Sequence, residues 1–363
     1  MKITALETYA QNSVGFVRVT TDEGAEGIGQ MSPKNADISA MVFHRQVAPY
    51  AIGRNPLQIN RLINSVIEGE YKFPGSYVRR ALAGLDTALW DLLGKMQNKG
   101  VYQLLGGSNP CVAAYGSSMR RDITPEDEGN RLVRLRDTLG YKAFKIRIGK
   151  VCGHDQDQWP GRTKQLVATV RKAVGDDIAI HVDANSCYTP AKAIEVGKML
   201  EDYGVCHFEE PCPYWEIEWG AQVADALEVP VAGGEQDTSL AQFRRMIAMD
   251  AVDIVQPDIC YIGGLSRALD VAKMAAERGK PCTPHAANLS MVTLFTMHML
   301  AAIPNAGPYL EYSIEPTKWT EDLFYPALTI EDGKVRIPDG PGWGVTVNES
   351  WLKQSTYQRT ILE

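Results

Sequence analysis

The sequence predicts an α/β protein in which a TIM-like barrel follows an N-terminal α+β unit. From Cys111 onward, short apolar runs alternate with helix-like stretches, and eight such runs occur, which is the pattern that repeated βα units produce. Three of the runs end in an acidic residue, Asp183, Glu209 or Glu235, at equal steps of 26 residues (209 − 183 and 235 − 209). The first 110 residues instead show strand-like runs followed by helices, which indicates a separate α+β unit.

The N-terminal unit, residues 1–110, is predicted to begin with an antiparallel meander. Alternating residues over 3–9 and 16–20, with the turn signal Asp22-Glu23-Gly24, indicate paired strands. Residues 78–95 place apolar side chains at helical spacing and predict a largely buried helix. Short strands and turns return after about residue 329. We expect residues 330–363 to complete the N-terminal unit, which leaves 111–329 as the barrel.

Each barrel strand is predicted from a short apolar run. The predicted strands cover residues 112–115, 143–148, 178–183, 205–209, 229–233, 252–256, 281–284 and 309–311. In such a barrel the carboxyl ends of all strands meet at one mouth. The polar residues that end these runs should therefore share a site.

Composition narrows the range of partners. The chain has 37 basic and 44 acidic residues, a formal net charge of −7, which argues against nucleic acid and favours a small molecule. Seven scattered cysteines, with no Cys-x-x-Cys pair, suit a reducing cytoplasm better than a disulfide scaffold. No export signal is recognisable at the start, and no apolar run is long enough to span a membrane. We therefore expect a cytoplasmic protein that acts on a small molecule.

The three equally spaced acids predict a metal site. A lone carboxylate at a strand end is usually a helix cap or a solvated loop residue, but three on consecutive strands converge on the barrel mouth. There they would repel one another unless a cation lay between them. Oxygen-only ligands favour a hard divalent ion such as Mg²⁺, so Asp183, Glu209 and Glu235 are the candidate ligands.

Further polar side chains end the neighbouring strands. Lys145 and Arg147 are two residues apart on the second strand, so they share one face and, inside a barrel, need anions as partners. Asp258 follows the sixth strand and His285 the seventh, where the carboxylate would fix the tautomer of the imidazole and raise its basicity. The remaining polar strand ends are Asn185, Glu210 and Glu311.

This set of groups suggests removal of a proton beside a carboxylate. Such a proton is weakly acidic, so the reaction needs a base at the carbon and positive charge at the carboxylate oxygens. Lys145 or His285 offers the base, and a divalent ion on the three acids offers the charge.

The chain resembles the enolase superfamily, in its mandelate racemase subgroup, over nearly its whole length. The residues that carry the resemblance are Gly84-Leu85-Asp86 and Ala88-Leu89-Trp90-Asp91 in a helix like that of the family's capping domain, Leu104-Leu105-Gly106-Gly107 after it, and the ligand-like motifs Val182-Asp183-Ala184-Asn185, Glu209-Glu210-Pro211 and Gly234-Glu235. The resemblance implies an N-terminal α+β capping domain over a modified TIM barrel, (β/α)7β. It also implies Mg²⁺ together with a lysine or histidine base, the established pattern of that superfamily.

The resemblance also implies roles for single residues. Asp258 and His285 match the Asp-His dyad of the subgroup, and Glu311 matches an acid that hydrogen-bonds the substrate carboxylate. Mandelate racemase carries Lys-x-Lys on the second strand, where this chain has Lys145-x-Arg147. Arginine stays protonated and is a poor base, whereas a racemase needs a base on each face of the substrate. We therefore expect a carbon–oxygen lyase, a dehydratase of an aldonate or aldarate. It would form a metal-stabilised enediolate and eliminate the β-hydroxyl to give a 2-keto-3-deoxy sugar acid.

Several alternatives stay open at the level of sequence. A second acid/base could be Lys145 or one of the loop residues His154, Asp155, Asp157 and Trp159. The site would also suit a racemase or epimerase of a 2-hydroxy acid, a sugar-lactone cycloisomerase, or a sugar-acid-binding protein without catalysis. Candidate substrate contacts are Asn185, Glu210, Tyr71, Tyr77 and Trp319, although the tyrosines equally suit packing between domains. We also expect a homo-oligomer, which is common among such enzymes.

Overall fold

A four-stranded antiparallel sheet and an eight-position barrel make up the protein in the computed structural model, which describes residues 1–363. The strands are β1 (Ile3–Ala10), β2 (Gly15–Thr21), β3 (Glu26–Gln30), β4 (Cys111–Ser117), β5 (Ala143–Arg147), β6 (Ala179–Asp183), β7 (His207–Glu209), β8 (Val231–Gly233), β9 (Ile254–Val255), β10 (Leu310–Ser313), β11 (Phe324–Tyr325), β12 (Ile330–Glu331), β13 (Lys334–Arg336), β14 (Thr346–Val347) and β15 (Thr356–Ile361).

The helices of the N-terminal part follow β3, and those of the barrel alternate with its strands. They are α1 (Ala36–Val42), α2 (Ala48–Ala51), α3 (Ile59–Gly69), α4 (Ser76–Gln97), α5 (Val101–Leu104), α6 (Pro125–Leu139), α7 (Arg162–Val174), α8 (Pro190–Asp202), α9 (Ile217–Ala226), α10 (Leu240–Ala248), α11 (Ile259–Ile262), α12 (Leu265–Ala276), α13 (Met291–Leu300) and α14 (Glu349–Lys353). A π-helical segment, Phe43–Val47, joins α1 to α2. No helix combines the length and the apolar character that a membrane crossing requires.

The N-terminal sheet is held against the long helix α4. Its strand order is β15–β1–β2–β3, so β3 is an edge strand. Two backbone N–H groups of β3 donate to α4 side chains, Ile28 to Asp91 Oδ2 at 2.8 Å and Gln30 to Thr87 Oγ1 at 3.1 Å. A Cβ at Gly29 would collide with the backbone of α4, so glycine is what permits the close approach.

The barrel confirms the predicted (β/α)7β architecture. Strands β4 to β9 pair in parallel in chain order, and β10 closes the barrel against β4. Seven helices, α6 to α10, α12 and α13, connect the eight positions, and no α-helix follows β10 before the tail strands. The seventh predicted strand, 281–284, is reduced to isolated bridges at Cys282, because Pro281 and Pro284 have no N–H to continue a ladder.

The C-terminal tail divides between the two parts of the molecule. Strand β15 joins the N-terminal sheet, with Ala5 opposite Ile361. The hairpin β12–β13 instead pairs with the barrel, where Arg336 lies opposite Cys111. Residues 334–336 therefore lie beside β4 and not, as expected, on the N-terminal unit. The domain boundaries at about 110 and 329 stay predictions.

Buried polar contacts dock the N-terminal part onto the barrel mouth. The Gln30 side chain donates to Ser290 Oγ at 2.9 Å and accepts from Met291 N at 3.0 Å, at the start of α13. On α4, Asp86 accepts from Ser266 N at 3.2 Å. These contacts place the segment after β3 at the edge of the barrel mouth.

Candidate active site

The sheet register aligns the charged residues of three adjacent strands. Arg147 at the end of β5 lies opposite Asp183 on β6, and Asp183 lies opposite Glu209 on β7. Glu235 follows the end of β8. All three acids are buried, and one carboxylate oxygen of each lies within 4.8 Å of the others.

This acid cluster has the properties of a divalent-cation site. Its donors are all carboxylate oxygens, which suit a hard ion. Glu235 Oε2 is buried and has no hydrogen-bond partner, although a buried acceptor without a partner is costly. Burial raises the pKa of Glu235 more than the nearby charge of His285 lowers it. The residues present therefore fit a bound metal ion.

Lys145 is surrounded by carboxylates and contacts three of them. Its Nζ donates to both oxygens of Glu209 at 2.8 Å and lies 2.8 Å from Glu311 Oε1 and 3.8 Å from Asp183 Oδ2. Burial alone would lower the pKa of Lys145, but Glu209 and Glu311 outweigh it and raise the pKa. Lys145 is accordingly held as a cation within the acid cluster.

Arg147 spans the cluster and the cavity above it. The Nη1 of Arg147 contacts Asp183 and donates to Asn185 Oδ1 at 3.0 Å. Its Nε donates to the Ser118 carbonyl at 3.2 Å. Asn185 adopts a left-handed conformation, φ 43, as does Glu210 with φ 41. Left-handed conformations are unfavourable for non-glycine residues and often accompany functional sites.

The predicted dyad is assembled by a bridge between neighbouring barrel positions. Asp258 and His285 pair as a parallel β-bridge, and Asp258 Oδ2 lies 2.8 Å from His285 Nδ1. The other Asp258 oxygen accepts from the backbone of Cys260 and Tyr261 at the start of α11, which fixes the carboxylate. His285 Nε2 points to the cluster, 3.4 Å from Glu235 Oε2. Burial lowers the pKa of His285, but Glu235, Glu311 and Asp258 outweigh it and raise the pKa to about 10.

Glu311 at β10 belongs to the floor of the site. It accepts from Ser117 Oγ at 2.8 Å and from the Ala286 backbone at 2.9 Å, in addition to Lys145. Burial would raise the pKa of Glu311, but Lys145 and then His285 lower it to about 2. It is a buried anion with fixed partners.

A cavity of about 640 Å³ opens above the cluster. Of the predicted site residues, its wall includes Arg147, Asn185, Glu210, Glu235, His285 and Trp319. Tyr71 and Tyr77 do not line it. Tyr71 is 69% exposed on the outer surface. Tyr77 lies in the first turn of α4, and its hydroxyl accepts from Asn35 Nδ2 at 3.1 Å. Neither tyrosine therefore lies in the cavity wall of this structure, and their contacts with substrate stay predictions.

The loop 149–161 places its candidate acid/bases away from the cluster. His154 is exposed. Asp155 accepts from Thr189, and Asp157 accepts from Thr163, which opens α7. The ring of Trp159 lies against Arg162. These side chains stabilise the loop, and only Val151 and Cys152 from it line the cavity.

The structure adds residues that sequence reasoning missed. Arg121 follows β4 and donates to Asn185 Oδ1 at 2.8 Å. Lys34, from the segment after β3, lines the cavity with Trp215. Directly after β9, Gln256 donates to Glu209 Oε2 at 3.2 Å. Gln256 precedes Pro257-Asp258 at a strand end and could have been found from that position, whereas Lys34 and Arg121 lie in loops without periodic signal.

Two family profiles cover most of the chain. The profile described as "Mandelate racemase / muconate lactonizing enzyme, N-terminal domain" matches residues 2–106, and "Enolase C-terminal domain-like" matches residues 128–351. The chain belongs to the enolase superfamily. It is an enzyme of the mandelate racemase subgroup, as its motifs predicted.

Relatives in this superfamily include dehydratases of sugar acids. Arabinonate dehydratase of Saccharolobus solfataricus is 31% identical over 96% of this chain and 93% of its own length. L-talarate/galactarate dehydratase of Salmonella typhimurium is 30% identical over 92% of this chain and 80% of its own length.

Solved structures of the superfamily superpose closely. A protein of Roseobacter denitrificans, provisionally described as a racemase, is 56% identical, with full coverage of both chains and a TM-score of 0.98. A mandelate racemase/muconate lactonizing protein of Paracoccus denitrificans, solved in complex with magnesium, is 28% identical, with 99% of each chain covered and a TM-score of 0.88.

Proposed function

We propose that this enzyme is a Mg²⁺-dependent dehydratase of a sugar acid, an aldonate or aldarate, and that its product is a 2-keto-3-deoxy sugar acid. One observation carries the proposal. His285 faces the buried acid cluster with a nitrogen that can accept and give up a proton, while Lys145 and Arg147 on the other side are held as cations by carboxylates. The dehydratase relatives support the same reaction class.

Asp183, Glu209 and Glu235 would hold the Mg²⁺ ion. The ion, when bound, supplies positive charge for the substrate carboxylate and so makes the α-proton more acidic. Lys145 and Glu311 lie beside the cluster at 2.8 Å from each other. They form a rigid floor, in which Lys145 adds positive charge near the substrate carboxylate and Glu311 holds Lys145 in place.

His285 is the proposed base. Asp258 binds its Nδ1 at 2.8 Å, which leaves Nε2 to accept the α-proton. As the C–H bond breaks, its electron pair moves toward the carboxyl carbon and places charge on the carboxylate oxygens. This electron pair then forms a double bond between the α-carbon and the β-carbon while the bond from the β-carbon to its hydroxyl breaks. His285 gives its proton to the departing hydroxyl, water leaves, and the enol becomes the 2-keto-3-deoxy acid.

A racemase or epimerase of a 2-hydroxy acid is the second candidate, because the Roseobacter denitrificans neighbour is described as a racemase. That reaction needs a base on each face of the α-carbon. On the β5 side, Lys145 Nζ is occupied by Glu209 and Glu311, and Arg147 stays protonated. Neither is suited to accept a proton, which favours dehydration.

The proposal is tested by incubating the Mg²⁺-loaded enzyme with a library of aldonates and aldarates in D₂O. We expect at least one acid to yield a 2-keto acid with loss of one water. Exchange of the α-proton for deuterium without any keto-acid formation would overturn the dehydratase and support the racemase.

A cytoplasmic location and a homo-oligomeric assembly are also proposed. All seven cysteines are free thiols, which supports a reducing compartment. Fractionation of the native cells and light scattering of the purified enzyme test the two points.

A further inference from the structure

Arg80 on α4 lies over the ring of Tyr261 on α11. Its Cζ is 3.7 Å from the centroid of that ring, well inside the separation at which an aromatic face attracts a cation. A planar guanidinium also stacks on such a ring, which a lysine cannot do. Arg80 forms no ion pair with a carboxylate, so the aromatic face is the partner of its charge.

The second contact of the Arg80 side chain is with the segment after β3. Its Nη1 donates to Ser32 Oγ, and the Ser32 N–H donates to the Arg80 carbonyl at 3.2 Å. Pro33 and Lys34, which follow, line the cavity, whereas Arg80 does not. The Lys34 N–H donates to the Ser13 carbonyl at 3.0 Å. Backbone hydrogen bonds therefore hold this part of the cavity wall independently of the Arg80 side chain.

Tyr261 in turn holds the carboxylate of the Asp258–His285 dyad. Its backbone N–H donates to Asp258 Oδ1 at 3.0 Å, and the Cys260 N–H donates to the same oxygen at 2.7 Å. The other oxygen, Oδ2, lies 2.8 Å from His285 Nδ1. The ring of Tyr261 also borders His285, with 6.0 Å between the two ring centroids. A shift of Tyr261 would therefore move both a donor to Asp258 and a neighbour of the imidazole.

Helix α11 depends on other elements for its position. It consists of one turn, Ile259–Ile262, and a single helical turn has little stability of its own. From the barrel, Arg267 on α12 donates through Nε to the Ile262 carbonyl at 2.6 Å. From the N-terminal part, Arg80 covers the ring of Tyr261. The turn that carries the donors to the dyad is thus held by both parts of the molecule.

We propose that Arg80 is a positioning residue for the Asp258–His285 dyad and that it acts through Tyr261. The contact across the ring fixes the turn of α11, and that turn fixes the carboxylate that orients His285. The imidazole is then correctly oriented only while the N-terminal part is docked on the barrel mouth. This inference rests on the proposed function, in which His285 is the base, and assigns to the N-terminal part a role in the proton transfer.

The test is a double-mutant cycle of Arg80→Gln and Tyr261→Leu in the Mg²⁺-loaded enzyme. Two conservative variants accompany it, Arg80→Lys, which keeps a cation, and Tyr261→Phe, which keeps the aromatic face. Arg79→Gln is the matched control. Arg79 is adjacent on α4, does not line the cavity, and its Nη1 has no hydrogen-bond partner. Circular dichroism verifies the fold of each variant.

Two readouts separate positioning from folding and from substrate binding. First, kcat and KM are measured with the acid that the library of aldonates and aldarates identifies. Second, proton NMR follows the His285 Nδ1–H resonance in the absence of substrate. A hydrogen bond to a carboxylate moves this resonance downfield, and its loss in His285→Asn assigns it. The second readout requires no turnover.

We expect Arg80→Gln to lower kcat about 10-fold, within the range of one partly buried cation–aromatic contact. KM should stay unchanged, because Arg80 does not line the cavity, and the Nδ1–H resonance should move. Tyr261→Leu should lower kcat as much, and the double variant should lose no more than either single one, since both remove the same contact. Arg80→Lys should recover part of kcat, Tyr261→Phe most of it, and Arg79→Gln should match the parent enzyme.

The inference is overturned if Arg80→Gln leaves either kcat or the resonance unchanged, if KM alone rises, if the two losses add in the double variant, or if Arg79→Gln has the same effect. Each of these results leaves the proposed dehydratase intact. If the parent enzyme converts no acid, the proposed function fails and the resonance alone decides the inference: a shift in Arg80→Gln and Tyr261→Leu supports it, and an unmoved resonance overturns it.

Discussion

The β5 side of the cavity and the side formed by Asp258 and His285 carry opposite kinds of chemistry. On β5, Lys145 and Arg147 contact the carboxylates of Glu209, Glu311 and Asp183 and remain positively charged. On the other side, His285 has one nitrogen bound to Asp258 and the other directed at the acid cluster.

This difference indicates which side of the cavity can accept a proton from the substrate. A cation whose charge is held by buried carboxylates stabilises negative charge but cannot accept a proton, whereas the imidazole of His285 can accept one at Nε2 once it has been deprotonated. One active base suffices for dehydration if the same histidine returns the proton to the leaving hydroxyl. Two are needed for racemisation. The following experiments test this division, beginning with the largest expected effect.

Removal of the metal should abolish keto-acid formation, because both sides of the cavity act on a substrate that the metal ion would hold. Without an ion, charge that develops on the substrate carboxylate meets three buried acids, so dialysis against a chelator should reduce keto-acid formation to background. Added Mg²⁺ should restore it, and Glu235→Gln should weaken Mg²⁺ binding in calorimetry. Full activity of metal-free protein would contradict the assignment of the cluster.

Replacing His285 by Asn should lower kcat by about 10³-fold, within the range of general-base contributions. Deuterium exchange at the α-carbon should fall equally, because no other group removes that proton. Mg²⁺ affinity should remain. His154→Asn is the matched control, since His154 is exposed in the loop 149–161. If the control lost activity and His285→Asn kept it, the base would lie in the loop.

Replacing Asp258 by Asn should reduce kcat/KM about 10- to 100-fold, as for other partners that orient a functional group. The hydrogen bond and charge of Asp258 contribute to the raised pKa of His285, so the variant histidine should have a lower pKa. A base acts in its unprotonated form. The rise of kcat/KM with pH should therefore move to lower pH, by about one unit. A midpoint that does not move in the pH profile would show that another group limits the rate.

Replacing Arg147 by Lys should have the smallest effect, less than about 10-fold on dehydration, because a cation is retained. The variant restores the Lys-x-Lys pattern of racemases on β5. We expect it to exchange the α-proton of epimeric acids that the parent leaves untouched, as measured by NMR in D₂O. The comparison variant Arg147→Gln should keep the exchange that His285 catalyses. Loss of exchange in Arg147→Gln would place the base on β5.

Much of the fold and of the acid cluster follows from local sequence patterns. A period of two puts Lys145 and Arg147 on one face of β5, and the repeated βα spacing puts Asp183, Glu209 and Glu235 at adjacent strand ends. The family resemblance is confirmed by the two family profiles. The exception in the barrel, the bridges in place of the strand 281–284, reflects two prolines whose missing N–H groups were visible in the sequence.

The sequence by itself determined which chemical groups end the barrel strands, because strand and helix periods are local properties of the chain. Only the tertiary structure decided which side chains from distant segments reach the cavity. It brought Arg121 and Lys34 to the wall, left Tyr71 and Tyr77 outside, and surrounded Lys145 with carboxylates from β7 and β10. The physical reason is that loop positions, and the charges that each buried group meets, depend on packing between segments far apart in the chain. Local periodicity carries no information about that packing.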